Sequence, residues 1–83
     1  MQLAKYVKFR EEKFGGVLFE TRTEKVFTLN ATGAAVIREI KAGCEERQIA
    51  PRLTDRFDDR TGAIGREVAA FLGLLREKGL VED

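Results

Sequence analysis

Residues 25–40 read KVFTLNATGAAVIREI, and the spacing of the apolar side chains changes in the middle of that stretch. Up to Leu29 it is a strand: Lys25-Val26-Phe27-Thr28-Leu29 is rich in β-branched and aromatic residues. From Ala34 onward the apolar residues recur at helical spacing, at Ala34, Ile37 and Ile40. Asn30 stands between the two patterns. Its side chain can accept a hydrogen bond from an orphan amide two or three residues on, so it is a natural N-cap. Gly43 can close the helix in the left-handed conformation.

Working outward, the segment before residue 25 keeps the strand pattern. Lys5-Tyr6-Val7-Lys8-Phe9-Arg10 puts Val7 and Phe9 on one face and Lys8 and Arg10 on the other. Glu11-Glu12-Lys13 is a polar turn. Gly15-Gly16-Val17-Leu18-Phe19 is a second strand, apolar on both faces as a middle strand is. Its glycines suggest a bulge or a close backbone crossing. Thr21-Arg22-Thr23-Glu24 is the next turn. Short connections predict an antiparallel meander with the third strand at an edge.

The segment after residue 40 is helical. A second helix is expected to hold Ile49, Leu53 and Phe57, spaced i, i+4, i+8. Pro51 lies between them and cannot donate to a helical bond, so that helix is expected to start late or kink. Asp58-Asp59 breaks the pattern, and Thr61 is a second N-cap candidate. In the third helix Ile64, Val68, Phe71, Leu72 and Leu75 form a continuous stripe, and Gly79 ends it, with Leu80 and Val81 folding back. The predicted strands cover about residues 5–11, 15–20 and 25–29, and the helices about 31–42, 45–57 and 61–78. Three strands followed by three helices make a single α+β domain over residues 1–83, winged-helix-like in outline.

Composition narrows the chemistry. The chain has 83 residues, 15 basic and 14 acidic, for a formal charge of +1. A chain this short buries only roughly 60% of the surface its unfolded form exposes. The near-neutral balance argues against a dedicated polyanion binder. There is no His, no Ser and no Trp, and one Cys. No Ser-His or Cys-His pair and no conventional zinc site can be built from such a set, and no internal disulfide. No apolar run approaches the roughly 20 residues that span a bilayer, and no signal-peptide pattern is present. These readings predict a cytoplasmic domain that is not an enzyme and needs no cofactor or metal.

Each remaining polar feature has a plain structural reading. The acidic pairs Glu11-Glu12, Glu45-Glu46 and Asp58-Asp59 are sequence neighbours, which point apart, so they make poor acid/base dyads. Cys44 lies near a helix start whose dipole could lower its pKa, but a lone thiol with no histidine is more often structural. Gly15-Gly16 lacks the context of a phosphate loop. Arg47, Arg52, Arg56 and Arg60 could line one helix face and meet phosphates, as in a winged-helix DNA-binding protein. Glu45, Glu46, Asp55, Asp58 and Asp59 are interleaved with them, which is the usual look of a solvated face with i, i+4 pairing.

The third helix and third strand carry the functional expectation. Ala63, Ala70 and Leu74 extend the helix's apolar stripe on one flank, and Gly65 and Ala69 on the other. The arc then covers roughly two-thirds of the circumference, where a surface helix needs about 100°. Such extra width implies deeper burial, self-association or a groove for a partner. Along the edge strand, Val26-Phe27-Thr28-Leu29 has no proline and no inward charge to blunt it. An apolar edge beside an apolar helix suits the addition of a peptide strand.

The order of short motifs resembles a known family. Phe14-Gly15-Gly16-Val17-Leu18-Phe19 is followed by Val26-Phe27-Thr28-Leu29-Asn30-Ala31-Thr32-Gly33-Ala34, then by Ile49, Leu53 and Phe57, then by Glu67-Val68-Ala69-Ala70-Phe71-Leu72 and Gly79-Leu80. From Tyr6 to Leu80 this resembles the PqqD-like family. These are the peptide chaperones of pyrroloquinoline quinone biosynthesis and their relatives, whose domain is also called the RiPP recognition element. The resemblance implies three antiparallel strands followed by three helices. It implies that a precursor peptide's leader binds as an extra strand beside the third helix and is delivered to a modifying enzyme, often a radical SAM enzyme. By position, Lys25, Val26, Phe27, Thr28 and Leu29 supply the pairing edge, and Ala63, Ala70, Phe71 and Leu74 the apolar wall. Glu67 stands where the family usually has Asp and either meets a basic leader side chain or supports the fold. Asn30 and Thr32 read as helix-start residues. Pro51 departs from the family pattern. The expected partners are a precursor peptide and its modifying enzyme, with no membrane and no nucleic acid. The alternatives are a DNA-binding winged helix and an adaptor that forms a homodimer through the same edge.

Overall fold

A computed structural model describes residues 1–82, so that Asp83, the last residue of the predicted domain, lies outside the described residues. In chain order the elements are β1 (Gln2–Leu3), β2 (Val7–Glu12), β3 (Gly15–Glu20), β4 (Lys25–Leu29), α1 (Ala31–Lys41), α2 (Glu46–Arg56), α3 (Ala63–Glu77) and β5 (Val81–Glu82). Strands β2, β3 and β4 form an antiparallel sheet in that order, which is the expected meander with its third strand at an edge. Helix α1 packs against β3, and α2 and α3 pack on α1 and on each other. Leu18, Ile37, Ile49, Leu53, Val68 and Leu75 are fully enclosed at the centre.

Of the two glycines of β3, Gly15 marks a close backbone crossing and Gly16 a close side-chain contact. A Cβ on Gly15, whose φ is +149°, would stand 2.3 Å from the Leu29 carbonyl oxygen. A Cβ on Gly16 would stand 2.6 Å from the Phe9 ring. Bare backbone at Gly15 lets the end of β4 lie this close to the start of β3, and bare backbone at Gly16 leaves room for the Phe9 ring of β2.

The helix ends follow one design. Asn30 caps α1 as expected, its Oδ1 accepting the Gly33 N–H at 2.8 Å. Gly43 at φ +86° closes α1, with the Cys44 N–H donating to the Glu39 carbonyl at 3.0 Å. Gly79 at φ +69° closes α3, with the Leu80 N–H donating to the Leu75 carbonyl at 2.9 Å. These are the six-to-one bonds of a Schellman ending. Asp58 plays the glycine's part after α2, at φ +51°, with the Asp59 N–H donating to the Thr54 carbonyl at 3.0 Å.

Four details differ from expectation. Helix α2 begins at Glu46, five residues before Pro51, and continues through it. The carbonyl that the proline leaves without a helical donor belongs to Arg47, and both residues are exposed, so water can satisfy it. Phe57 does not complete the α2 stripe. It sits at the C-cap and is 40% exposed, because the chain turns at Asp58. The N-cap position of α3 is Gly62, not Thr61, and the missing side-chain acceptor is supplied by Asp59, whose Oδ2 takes the Ile64 N–H at 2.8 Å. Finally, β1 and β5 pair antiparallel, Leu3 opposite Val81. Two-residue strands carry no periodicity, so nothing in the sequence pattern marks them. To reach that ribbon the chain turns between Ala4 and Val7, which is why β2 starts at Val7 rather than near Lys5.

Candidate functional site

Strand β4 has β3 on one side, and no described strand pairs with its other edge. Its side chains alternate. Phe27 lies opposite the buried Leu18 and, like Leu29, faces the helices. Val26 lies opposite Phe19 on the outer face and is 57% exposed, with Thr28 beside it. Along the free edge runs a groove of about 650 Å³ between β4 and α3. Ala70, Phe71 and Leu74 form its wall, and Phe27 and Leu29 its other side. Leu74 is 42% exposed there and, with Ala70 and Phe71, makes the exposed apolar surface of α3 continuous with the groove.

The floor was not foreseen from the strand and the helix alone. Thr32, Gly33 and Val36 of α1 supply part of it, with Leu18, Leu75 and Leu80. Gly33 matters sterically, since a Cβ there would come within 3.7 Å of the Phe71 ring and 3.4 Å of Leu29. Leu80 passes beneath the groove and is buried, while Val81 goes on to pair with Leu3. The chain after Gly79 therefore floors the groove and does not fill it.

The ends of the groove are polar and unlike. At one end Glu67 accepts a hydrogen bond through Oε2 from the Asn30 Nδ2, 3.0 Å away. Asn30 thus caps α1 with its oxygen and ties α3 with its nitrogen. At the other end Lys78 holds its ammonium 5.7 Å from the centre of the Phe27 ring. Two residues assigned to the site fall outside the groove lining. Lys25 is at the N-terminal end of β4, beyond the Lys78 end. Ala63 is on the same flank of α3 as Glu67 and Ala70, but it is exposed, with its N–H on the Thr61 hydroxyl, and the Asn30–Glu67 contact closes the groove before it. The flank of α3 that faces β4 is the Ala70–Leu74 side. Gly65 and Ala69 face α2 instead.

The other polar groups are taken up in pairs. Glu39 is only 4% exposed and holds Arg52 Nε at 2.8 Å and Arg56 Nη2 at 2.9 Å, one on each oxygen. Arg47 pairs with Glu45, Arg60 with Asp58, and Arg76 with Glu46. The four arginines of the row thus meet three carboxylates, Arg52 and Arg56 sharing Glu39, which weakens the row's attraction for phosphates. Burial pushes the Glu39 carboxyl up, but the hydrogen bonds and charges of Arg52 and then Arg56 outweigh it and hold it below its usual range. The Cys44 thiol is pushed up, by burial first and then by the nearby Glu39 charge, against the expected lowering by a helix start. Its thiolate is disfavoured. Among the described residues no three His, Cys, Asp or Glu side chains are placed to hold a metal ion, and no described helix is long and apolar enough to cross a membrane.

Among the described strands β2 and β4 are both edges of the sheet, but the apolar groove and helix α3 lie along β4, an arrangement suited to the addition of a strand. The chain belongs to the family of coenzyme PQQ synthesis protein D (PqqD), whose model matches residues 15–81. Two similar solved structures span almost the whole chain. TbiB1 in complex with the TbiA(beta) leader peptide is 22% identical, with a TM-score of 0.84 over 99% of this chain and 95% of that one. Lasso peptide synthetase B1 complexed with the leader peptide is 23% identical, with a TM-score of 0.81 over 99% of this chain and 96% of that one. At such identities the likeness is one of fold. No curated protein sequence matches the chain.

Proposed function

We propose that this protein is a non-catalytic peptide chaperone that binds the leader of a ribosomally made precursor as a fourth strand on β4 and presents it to a modifying enzyme. The observation that carries this reading is the unpaired β4 edge running beside an apolar groove. Both similar solved structures hold a leader peptide, which supports the same use of the shared fold. Pairing with the edge supplies affinity that any extended backbone can share, and the groove supplies selection by taking every second side chain. Each apolar side chain fully buried there contributes about 1.5–3 kcal/mol. The catalytic step belongs to the partner. In the PqqD-like setting that partner is a radical SAM maturase, and the bound leader raises the precursor's effective concentration beside it.

The test is a titration of the precursor's leader, as a synthetic peptide, against the parent protein and the Leu74→Glu and Ala70→Glu variants. Both positions are exposed in the free protein, so the variants keep the fold, which circular dichroism verifies. Each should weaken binding at least about tenfold, because a carboxylate then faces the apolar guest. Binding unchanged in both variants places the peptide elsewhere. The open edge also favours edge-to-edge pairing of two copies. Sedimentation with and without leader distinguishes it, since a dimer of this kind must dissociate when the peptide takes the edge.

A further inference from the structure

The two ends of the β4–α3 groove carry opposite charge. Glu67 lies abreast of Asn30, just past the C-terminal end of β4, and its Oε1 has no protein partner among the described residues. Lys78 lies over Phe27, toward the N-terminal end of β4, its ammonium 5.7 Å from the ring centre. Lys25 adds a second cation at that end, and neither lysine has a carboxylate partner among the described residues. Every other element of the groove is apolar or an uncharged hydroxyl or amide.

Resting on the peptide-binding reading, we propose that the groove selects its guest by charge order. The guest carries a basic side chain at the Glu67 end, an apolar side chain two residues later in the groove, and an acidic side chain two residues after that at the Lys78 end. The spacing follows from two lengths. Phe27 of β4 and Asn30, the extended residue that follows the strand, are three residues apart, about 10 Å of extended chain. Glu67 and Lys78 are eleven residues apart on α3, about 16 Å of helix. Side chains on one face of an extended guest repeat every two residues, at roughly 6.6 Å. Only a separation of four residues, about 13 Å, falls between the two lengths and keeps both charges on the groove face.

The polarity follows from the pairing. An antiparallel ladder is more stable per residue than a parallel one, and the sheet it extends is antiparallel. An antiparallel guest begins at the Asn30 end, so its basic residue comes first. The recognised pattern is therefore Lys or Arg, any residue, apolar, any residue, Asp or Glu. Outward positions of the guest stand beside Val26 and Thr28 and are free to vary within strand-forming residues.

Display of random dodecapeptides on phage, selected on the immobilised full chain, tests this directly. The expected consensus has the basic residue four places before the acidic one with an apolar residue midway. A synthetic peptide of that consensus with its two charges exchanged should bind about three- to tenfold more weakly at low salt, and the gap should narrow in high salt. The Glu67→Lys, Lys78→Glu double variant should reverse the preference, which the loss of a structural Asn30 contact cannot do. Enriched peptides that are apolar, compete with one another and fail on Leu74→Glu, yet show no charge order or the acidic residue first, overturn the charge rule and leave the groove as the binding site. Failure to enrich any peptide that depends on Leu74 overturns both.

Discussion

Three hydrogen bonds converge on the Asp59 carboxylate, from the N–H of Ile64, the hydroxyl of Thr61 and the N–H of Thr61. They hold its pKa down to about 2, the Ile64 bond contributing most. Its neighbour Asp58 does something different, turning the chain out of α2 in the left-handed conformation. Adjacent acids in the sequence thus end one helix and begin the next. The stabilisation from Asp59 is fully present above its ordinary pKa near 3.8 and is lost as the pH falls toward 2. Asp59→Ala should lower the thermal midpoint at pH 7, and the gap to the parent should close between about pH 4 and pH 2. A gap that persists at pH 2 means the carboxylate charge is not what caps α3. Asn30 is the other residue with a double role, and only half of it was legible. Its capping bond is local and follows from its place before a helical pattern. Its bond to Glu67 joins residues 37 apart, and no spacing rule reaches that far.

At the scale of the elements, α1 and α2 are joined by one buried acid and two arginines. Arg52 and Arg56, one turn apart, present both guanidinium groups to Glu39. Hydrogen bonds to charged groups contribute about 1.5–3 kcal/mol each, less where the partner is half-exposed as these arginines are. Glu39→Ala should therefore cost about 1–3 kcal/mol in urea unfolding. A cost below about 0.5 kcal/mol would show the pair to be no better than a surface ion pair. The charge pattern around the arginines was legible as a neutralised face. The partner was not, because Glu39 sits on a different helix and reads there as one more polar residue between Ile37 and Ile40. The third helix shows the same division. Its apolar width was plain from the sequence, but which flank met the sheet depended on how α1 and α2 were stacked beneath it.

For the molecule as a whole, the open edge of β4 has a direct observable. Its outward amides lack partners, whereas those of β3 are paired on both sides. Amide exchange should be fast along the free edges of both β2 and β4 and slowest in β3. Adding the bound peptide should protect alternate β4 amides by at least about tenfold. Uniform protection of β4 in the free protein would mean that a second copy already occupies the edge. The alternating and helical periods settled the order of β2, β3, β4 and the three helices, the edge position of β4 and the caps at Asn30, Gly43 and Gly79, because each of these depends on residues within a few positions of one another. Tertiary packing alone decided the β1–β5 ribbon, the floor of the groove at Gly33 and Leu80, the exclusion of Ala63 and the opposed charges of Glu67 and Lys78. These depend on which distant surfaces meet, and a one-dimensional pattern records only what each surface is made of.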